Sequence, residues 1–322
     1  MSEAAQQDGE RCGAMAPRVA VCFFVADTRH RIPRRPWWRW LYRKTRSVLL
    51  RAVAMRRGPE PREVDYAAGL EYALASLRRR SPNLPRVLLL CPDDIARPEG
   101  VDEVIRIDPK TYRDVRGVAY EFGVTVFYKL ELFRLRGYDR IIYFDSDLLF
   151  VDDVSALWDP QCYGERDLWA VRESPANGAT FAPSFGTLNS GVLVINAAML
   201  GDDVHARLLA TATAGLSSDG GDQGVLHRFL EAPGTRQRAG ELDPSFNLFA
   251  HSASITGGLL DLGAKVLHFT GSEKPFGRAQ ARRDDDDGHD VDELYFAIAG
   301  STAPRPLAEG VAALLASTTV RD

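Results

Sequence analysis

A mostly parallel α/β sheet, covered by helices on both faces, is the architecture this sequence predicts. Three observations predict it. Short apolar runs alternate with amphipathic stretches through the first half of the chain, as in successive β-α-β units. The apolar runs are continuous, as strands buried on both faces require. One of them, Ile141 to Phe144, ends on two carboxylates, Asp145 and Asp147, at the strand end where open α/β sheets bind their ligands. No Gly-x-Gly-x-x-Gly follows the first apolar run, which disfavours a dinucleotide site.

In chain order, residues 1-16 are polar and read as disordered. Val19 to Val25 is the first strand. Residues 29-62 then break the pattern, with twelve Lys/Arg against one Glu and with Trp37, Trp38 and Trp40. Tyr66 to Arg80 is an amphipathic helix. Arg86 to Cys91 is a strand that ends at the turn Pro92-Asp93-Asp94. Val101 to Ile107 is another strand. Val124 to Leu135 has helical spacing and precedes the strand Ile141 to Phe144. Leu168 to Val171 and Gly191 to Asn196 are strands, Asp203 to Ala214 and Gln223 to Leu230 are helices, and Lys265 to Phe269 is the last strand. Residues 278-290 are charged, with four Asp at 284-287, and read as a solvated loop. No internal repeat is visible. The division is 1-16, a folded unit 17-277 that carries the insertion 29-62, and a charged loop and tail 278-322.

Bulk properties exclude several classes. The chain has 322 residues and a net charge of −4, so no global basic field recruits nucleic acid. The four cysteines, at 12, 22, 91 and 162, show no Cys-x-x-Cys spacing, so neither a disulfide framework nor a cysteine zinc site is indicated. Cys22 and Cys91 lie in apolar runs and read as buried thiols, which fits a cytoplasmic location. Met1 to Pro17 lacks the apolar core of a signal peptide. No apolar run approaches the roughly 20 residues of a membrane span. The expectation is a soluble or peripheral protein.

The chemistry gathers in five segments. Two carboxylates one residue apart at a strand end can hold a divalent cation through oxygen, and that cation can hold a diphosphate. Val124-Thr-Val-Phe-Tyr-Lys129 puts a lysine in the helix ahead of this pair. Phe185-Gly-Thr-Leu-Asn-Ser-Gly-Val-Leu-Val-Ile-Asn196 places a polar Asn-Ser-Gly turn before a strand. Asp219-Gly-Gly-Asp-Gln-Gly-Val-Leu226 sets two carboxylates and an amide on a glycine-rich turn into a helix. Lys265-Val-Leu-His-Phe-Thr-Gly-Ser-Glu-Lys-Pro-Phe276 carries a His, a Gly and a Lys three residues apart.

In this order the segments resemble the retaining glycosyltransferases of family 8, the glycogenin group, over roughly residues 18-277. The resemblance implies a GT-A type nucleotide-diphospho-sugar transferase fold, with a Rossmann-like sheet flanked by helices. It implies transfer of a hexose from a UDP-sugar, UDP-glucose or UDP-galactose first, to a hydroxyl on a carbohydrate, polyol, lipid or protein. The implied metal ligands are Asp145, Asp147 and His268, a mixed oxygen and imidazole set that suits Mn2+, with Mg2+ as the second choice. Asp222, Gln223 and Lys129 are the implied catalytic residues. Asn189, Ser190, Asp219, Gly271, Lys274, Asp145 and Ser146 are the implied substrate-binding ones. Gly271 would admit the diphosphate close to the backbone, and Lys274 would add a point charge to the leaving phosphate. Asp219 or Asp222 can also cap the following helix.

Two departures from the glycogenin pattern matter. The stretch Phe249 to Ile255, after the motif Phe246-Asn247-Leu248, has no tyrosine, so self-glycosylation at that position is not expected. The insertion 29-62 also separates the first strand from its helix, which loosens the assignment of base contacts to Ala26, Asp27 and Tyr66. The competing reading is a non-catalytic sugar-nucleotide or glycan-binding relative, and the filled polar positions argue against it. A nucleic-acid reading of residues 29-62 is disfavoured by the acidic net charge and the lack of a known motif.

Residues 36-57 have the pattern of a basic amphipathic helix. Trp37, Trp38, Leu41, Val48, Leu49, Val53 and Met55 gather on one side, and Arg39, Arg43, Lys44, Arg46, Arg51 and Arg57 on the other, while Trp40, Leu50 and Arg56 break the pattern. Such a helix can lie in a membrane interface as a peripheral contact, or pack on the protein with its basic face in water. The membrane reading predicts that the full chain co-sediments with anionic vesicles at low salt and that deletion of 36-57 abolishes this. Failure of the full chain to bind would discard it.

Overall fold

The computed structural model describes residues 17-26, 66-115, 123-179, 185-233, 238-250 and 263-270. Residues 1-16, Asp27, the insertion 29-62 with the helix expected over 36-57, Gly271, Lys274 and the tail 278-322 lie outside the described residues. The strands are β1 Val19–Phe24, β2 Arg86–Cys91, β3 Glu103–Arg106, β4 Arg140–Asp145, β5 Leu148–Phe150, β6 Leu168–Arg172, β7 Leu188–Asn196, β8 Ala239–Leu242, β9 Leu248–Phe249 and β10 Val266–His268. The α-helices are α1 Tyr66–Arg80, α2 Asp202–Thr213 and α3 Asp222–Glu231. Gly123–Arg134 is a 3₁₀ helix, where helical spacing alone led us to expect a generic helix.

Seven strands form the main sheet in the order β3-β2-β1-β4-β7-β6-β8. Pairs β3-β2, β2-β1, β1-β4 and β6-β8 are parallel, and β7 runs antiparallel to both β4 and β6. The sheet is thus mostly parallel, with one reversed strand beside the Asp-bearing one. Both faces are covered, and the strands show it with period two. Ala20, Cys22, Ile141, Tyr143, Leu193 and Ile195 face the layer of the 3₁₀ helix, α2 and α3. Val21, Phe23, Ile142, Phe144, Val192 and Val194 face α1 and the small sheet. Cys22 and Cys91 are buried thiols, and burial pushes the Cys22 thiol well up.

This topology locates the site. The strand order turns at β1, between β2 and β4, so the carboxyl ends of β1 and β4 flank a switch point. Phe24 is paired with Asp145 there. The chain then turns into β5, which leaves the main sheet and joins a second one in the order β5-β10-β9. In it, Leu148 pairs with His268 and Phe249 with His268.

The 3₁₀ helix is anchored from behind. Tyr112 donates its hydroxyl to Glu131 Oε1 at 3.0 Å and lies 3.2 Å from His205 Nε2 on α2. Burial and the Glu131 charge raise the Tyr112 hydroxyl far above its ordinary range, so the phenol stays a donor.

Arg140, buried at the start of β4, fastens it to the loop after β5. It donates to Asn196 Oδ1 at 2.8 Å and to the carbonyls of Leu157, Asp159 and Cys162 at 3.1, 2.7 and 2.7 Å. Arg140→Met would leave three carbonyls short of a charged donor. It should lower the unfolding free energy by about 3 kcal/mol, read from the urea midpoint. A loss below about 1 kcal/mol would show that water replaces the guanidinium.

Candidate active site

Four elements deliver polar side chains to the carboxyl end of β4. Asp145 is its last residue, and Asp147 follows in the turn to β5. His268 is carried in by the antiparallel β5-β10 pairing, which the bond from Phe269 N to Asp147 O, 3.0 Å, extends past the last strand residue. His268 Nε2 lies 3.3 Å from Asp147 Oδ1 and 3.8 Å from Asp145 Oδ2. One ligand atom from each of the three residues falls within 4.8 Å of the others. Two carboxylates and an imidazole that converge this closely, with Asp147 and His268 buried, fit a divalent cation.

Lys129 stands on the other side of Asp145. The 3₁₀ helix points its ammonium inward, 3.0 Å from Asp145 Oδ1 and 3.0 Å from Asp222 Oδ2. It also donates to Ser190 Oγ at 3.2 Å and lies 5.1 Å from the Tyr143 ring centroid. Burial pulls the ammonium towards losing its proton, but the charges of Asp145 and Asp222 outweigh that and hold it above the ordinary lysine range. The magnitudes agree. At an effective dielectric near 20, each contact is worth roughly 5 kcal/mol, against a burial penalty of several kcal/mol for the ion.

Tyr143 donates to Asp145 Oδ1 as well. Burial first, and the Asp145 charge second, raise its hydroxyl far above its ordinary range. Asp145 therefore divides its oxygens. Oδ1 serves Lys129 and Tyr143, and Oδ2 faces His268.

Asp222 is the first residue of α3, with Gly221 as the N-cap, so its carboxylate pairs with Lys129 in place of capping the helix. The preceding turn is closed by Asp219, whose Oδ1 accepts from Gly221 N at 2.8 Å, Gly224 N at 2.9 Å and Ser217 Oγ at 3.0 Å. A Cβ at Gly224 would sit 2.3 Å from that oxygen, so glycine at 224 is needed for the turn to close. Gln223 reaches back to β7. Its Oε1 accepts from Ser190 N and Asn189 Nδ2, both at 3.1 Å, and its Nε2 donates to Glu173 Oε1 at 2.9 Å.

The structure thus brings together Lys129, Asp145, Asp147, Asn189, Ser190, Asp222, Gln223 and His268. Ser146 is buried between the two aspartates, and Asp219 lies in the turn before α3. The Asn-Ser-Gly segment requires a correction. Asn189, Ser190 and Gly191 are not a turn before a strand but buried residues within β7. Their N–H groups bond to side chains, Ser190 N to Gln223 Oε1 and Gly191 N to Asn189 Oδ1, along the stretch where the β6-β7 register shifts, so tertiary partners hold extended a segment of weak strand preference.

Sequence reasoning missed Glu173, Asn247 and Tyr143 as members of the site. Glu173 follows β6 directly, so the rule that singled out Asp145, a carboxylate at the end of an apolar strand, applied to it as well. Asn247 entered the reading only as part of Phe246-Asn247-Leu248.

Among curated proteins the chain is similar to human glycogenin-2, at 28% identity over 223 residues, 66% of this chain and 41% of that protein. It is also similar to glycogenin-1 of Oryctolagus cuniculus, at 30% identity over 184 residues, 54% of this chain and 50% of that protein. The chain thus spans about half the length of these relatives or less. Among solved structures it resembles an active-site mutant of LgtC, with a TM-score of 0.58 at 17% identity, covering 91% of this chain and 99% of that one. It resembles apo GlyE of Streptococcus pneumoniae TIGR4 with a TM-score of 0.52 at 17% identity, covering 94% and 64%. At such identities these likenesses speak for the fold alone, which is GT-A. The sequence model described as glycosyl transferase family 8 matches residues 104-279, more than half of the chain and the stretch that holds every site residue named above. The chain therefore belongs to glycosyl transferase family 8.

Proposed function

We propose that this protein transfers a hexose from a UDP-sugar to a hydroxyl acceptor, with retention at the anomeric carbon. UDP-glucose and UDP-galactose are the donors we favour. The observation that carries this reading is the meeting of Asp145, Asp147 and His268 beside the Lys129–Asp222 pair at the carboxyl end of β4. Supporting it, a galactosyltransferase of similar fold, LgtC, has been solved with donor and acceptor sugar analogs.

Asp145, Asp147 and His268 would hold the cation, manganese first. When bound, it would neutralise charge on the departing diphosphate. Lys274 and Gly271 would sit at the same phosphates. The transferred sugar would lie against Asp222, Gln223 and the Asn189–Ser190 edge of β7. Asp222 is fixed there by Lys129, whose ammonium keeps a negative oxygen facing the anomeric carbon as positive charge develops on it. The bond from that carbon to the phosphate oxygen breaks with its electron pair going to the phosphate. The acceptor oxygen then bonds to the same face of the carbon, and its proton passes to the departing phosphate. The acceptor would be a carbohydrate, polyol, lipid or protein hydroxyl, and residues 36-57 are the proposed contact with an anionic surface.

A screen of UDP-sugars for UDP release, with and without Mn2+, tests this reading. Release with UDP-glucose or UDP-galactose should require the metal. Asp147→Ala should remove the metal-dependent part with the fold intact. Asp222→Asn should leave UDP affinity nearly unchanged and reduce transfer by at least about 100-fold. No release from any donor, by a chain that still binds Mn2+ and UDP, would favour a non-catalytic relative.

A further inference from the structure

His268 meets the carboxylates through one ring nitrogen while the other is held from behind. Nδ1 lies 2.8 Å from Asn247 Oδ1, and Asn247 is fully buried. Which atom carries the proton can be worked out from groups that have no choice. Gly191 N is a backbone N–H and can only donate, and it meets Asn189 Oδ1 at 2.9 Å. At its other end Asn189 presents Nδ2 to the Glu173 carboxylate, which accepts at 2.8 Å. Both contacts fix the same orientation of the Asn189 amide. Asn189 Oδ1 therefore faces a donor on Asn247, 2.7 Å away, and that donor is Nδ2. The carbonyl oxygen of Asn247 remains for His268, and an oxygen in that place requires a proton on Nδ1. In a neutral imidazole Nε2 is then a lone pair, directed at Asp147 Oδ1 and Asp145 Oδ2. Three electron-rich atoms facing one another repel unless a cation lies among them.

We propose that Asn247 is a positioning residue that holds His268 as the Nδ1–H tautomer, so that Nε2 offers its lone pair to a cation between Asp145 and Asp147. The setting starts at the Gly191 backbone and passes through Asn189 and Asn247 to the imidazole. Gly191 contributes in a second way. A Cβ there would stand 2.3 Å from His268 Cε1, so only glycine lets the ring lie this close to β7. Partners behind a ligating histidine commonly fix its tautomer in this manner. The role for the cation rests on the reading under Proposed function, whereas the tautomer does not.

The test uses the full-length chain labelled with 15N-histidine, with His268 assigned by comparison with His268→Gln. Without metal, at a pH where the ring is neutral, His268 should show an N–H at Nδ1 and a bare Nε2. Asn247→Leu, similar in volume but without either hydrogen bond, should lose this tautomer preference. Its affinity for Mn2+ alone, measured calorimetrically, should fall about 10- to 100-fold. Asn247→Asp gives up the donor to Asn189 Oδ1 but keeps an acceptor for Nδ1–H, and should preserve the tautomer, with metal affinity closer to wild type than that of Asn247→Leu. A role in folding alone would lower stability in both variants and leave the tautomer unchanged. The proposal is overturned if wild-type His268 carries its proton on Nε2, or if Asn247→Leu keeps both tautomer and affinity. Should Asn247→Leu not fold, the wild-type spectrum and Asn247→Asp still decide. If wild type shows Nδ1–H but binds no Mn2+, the relay is upheld and the cation reading fails.

Discussion

The contact on which the site depends is the buried ammonium of Lys129 held between Asp145 and Asp222. It joins four elements that approach from different directions: the 3₁₀ helix, the end of β4, the start of α3 and, through Ser190, the edge of β7. A buried ion pair is seldom the most stable solution for a core, because desolvation offsets much of the attraction. Its worth here lies in geometry. Glu131, two residues along the same helix, is held on the opposite side by Tyr112 and Arg134. The helix is thus pinned on both sides, and the ammonium has little freedom to leave its two carboxylates.

The charge balance explains why such a site invites a cation. Asp145, Asp147, Asp222 and Glu173 bring four carboxyl groups together, and among the described residues only Lys129 is a permanent positive partner of this group. The side away from Lys129 is the side of Asp147 and His268. A cation there would complete what Lys129 begins, with Asp145 shared between the two.

The sequence made much of the frame legible, and physics accounts for the rest. β1, β2 and β4 are apolar on both faces and could be read as strands, and their ends located the Asp pair. Helical spacing placed Lys129, but apolar periodicity does not separate a 3₁₀ helix from an α-helix over twelve residues. β5 and β9 are three and two residues long and exist only because β10 lies between them, so nothing local could announce them. Val101 to Ile107 was expected as a strand, and only Glu103–Arg106 pairs, as suits a strand at the sheet edge. The misreading of Asn189-Ser190-Gly191 as a turn has the same origin. Residues that favour turns in isolation are held extended by partners distant in sequence.

That misreading bears on function. A turn would have offered these polar groups on a mobile support, whereas here they stand within β7 and are tied by Gln223, Glu173 and Asn247, where positions are held more tightly. Two routes then connect the sugar-facing end of the site to the His268 end. One runs through charge, from Asp222 to Lys129 to Asp145. The other runs through amides, from Gln223 to Asn189 to Asn247 to His268. Both run through buried and half-buried groups, where hydrogen bonds in series strengthen one another. Glu173 binds the amide route at two points, Asn189 and Gln223, so rotation of either side chain takes a donor from a buried carboxylate. The site is therefore one polar body clamped to β4 and β7. A ligand that displaces Asp222 acts on a group already linked, through Lys129, to the carboxylate beside His268.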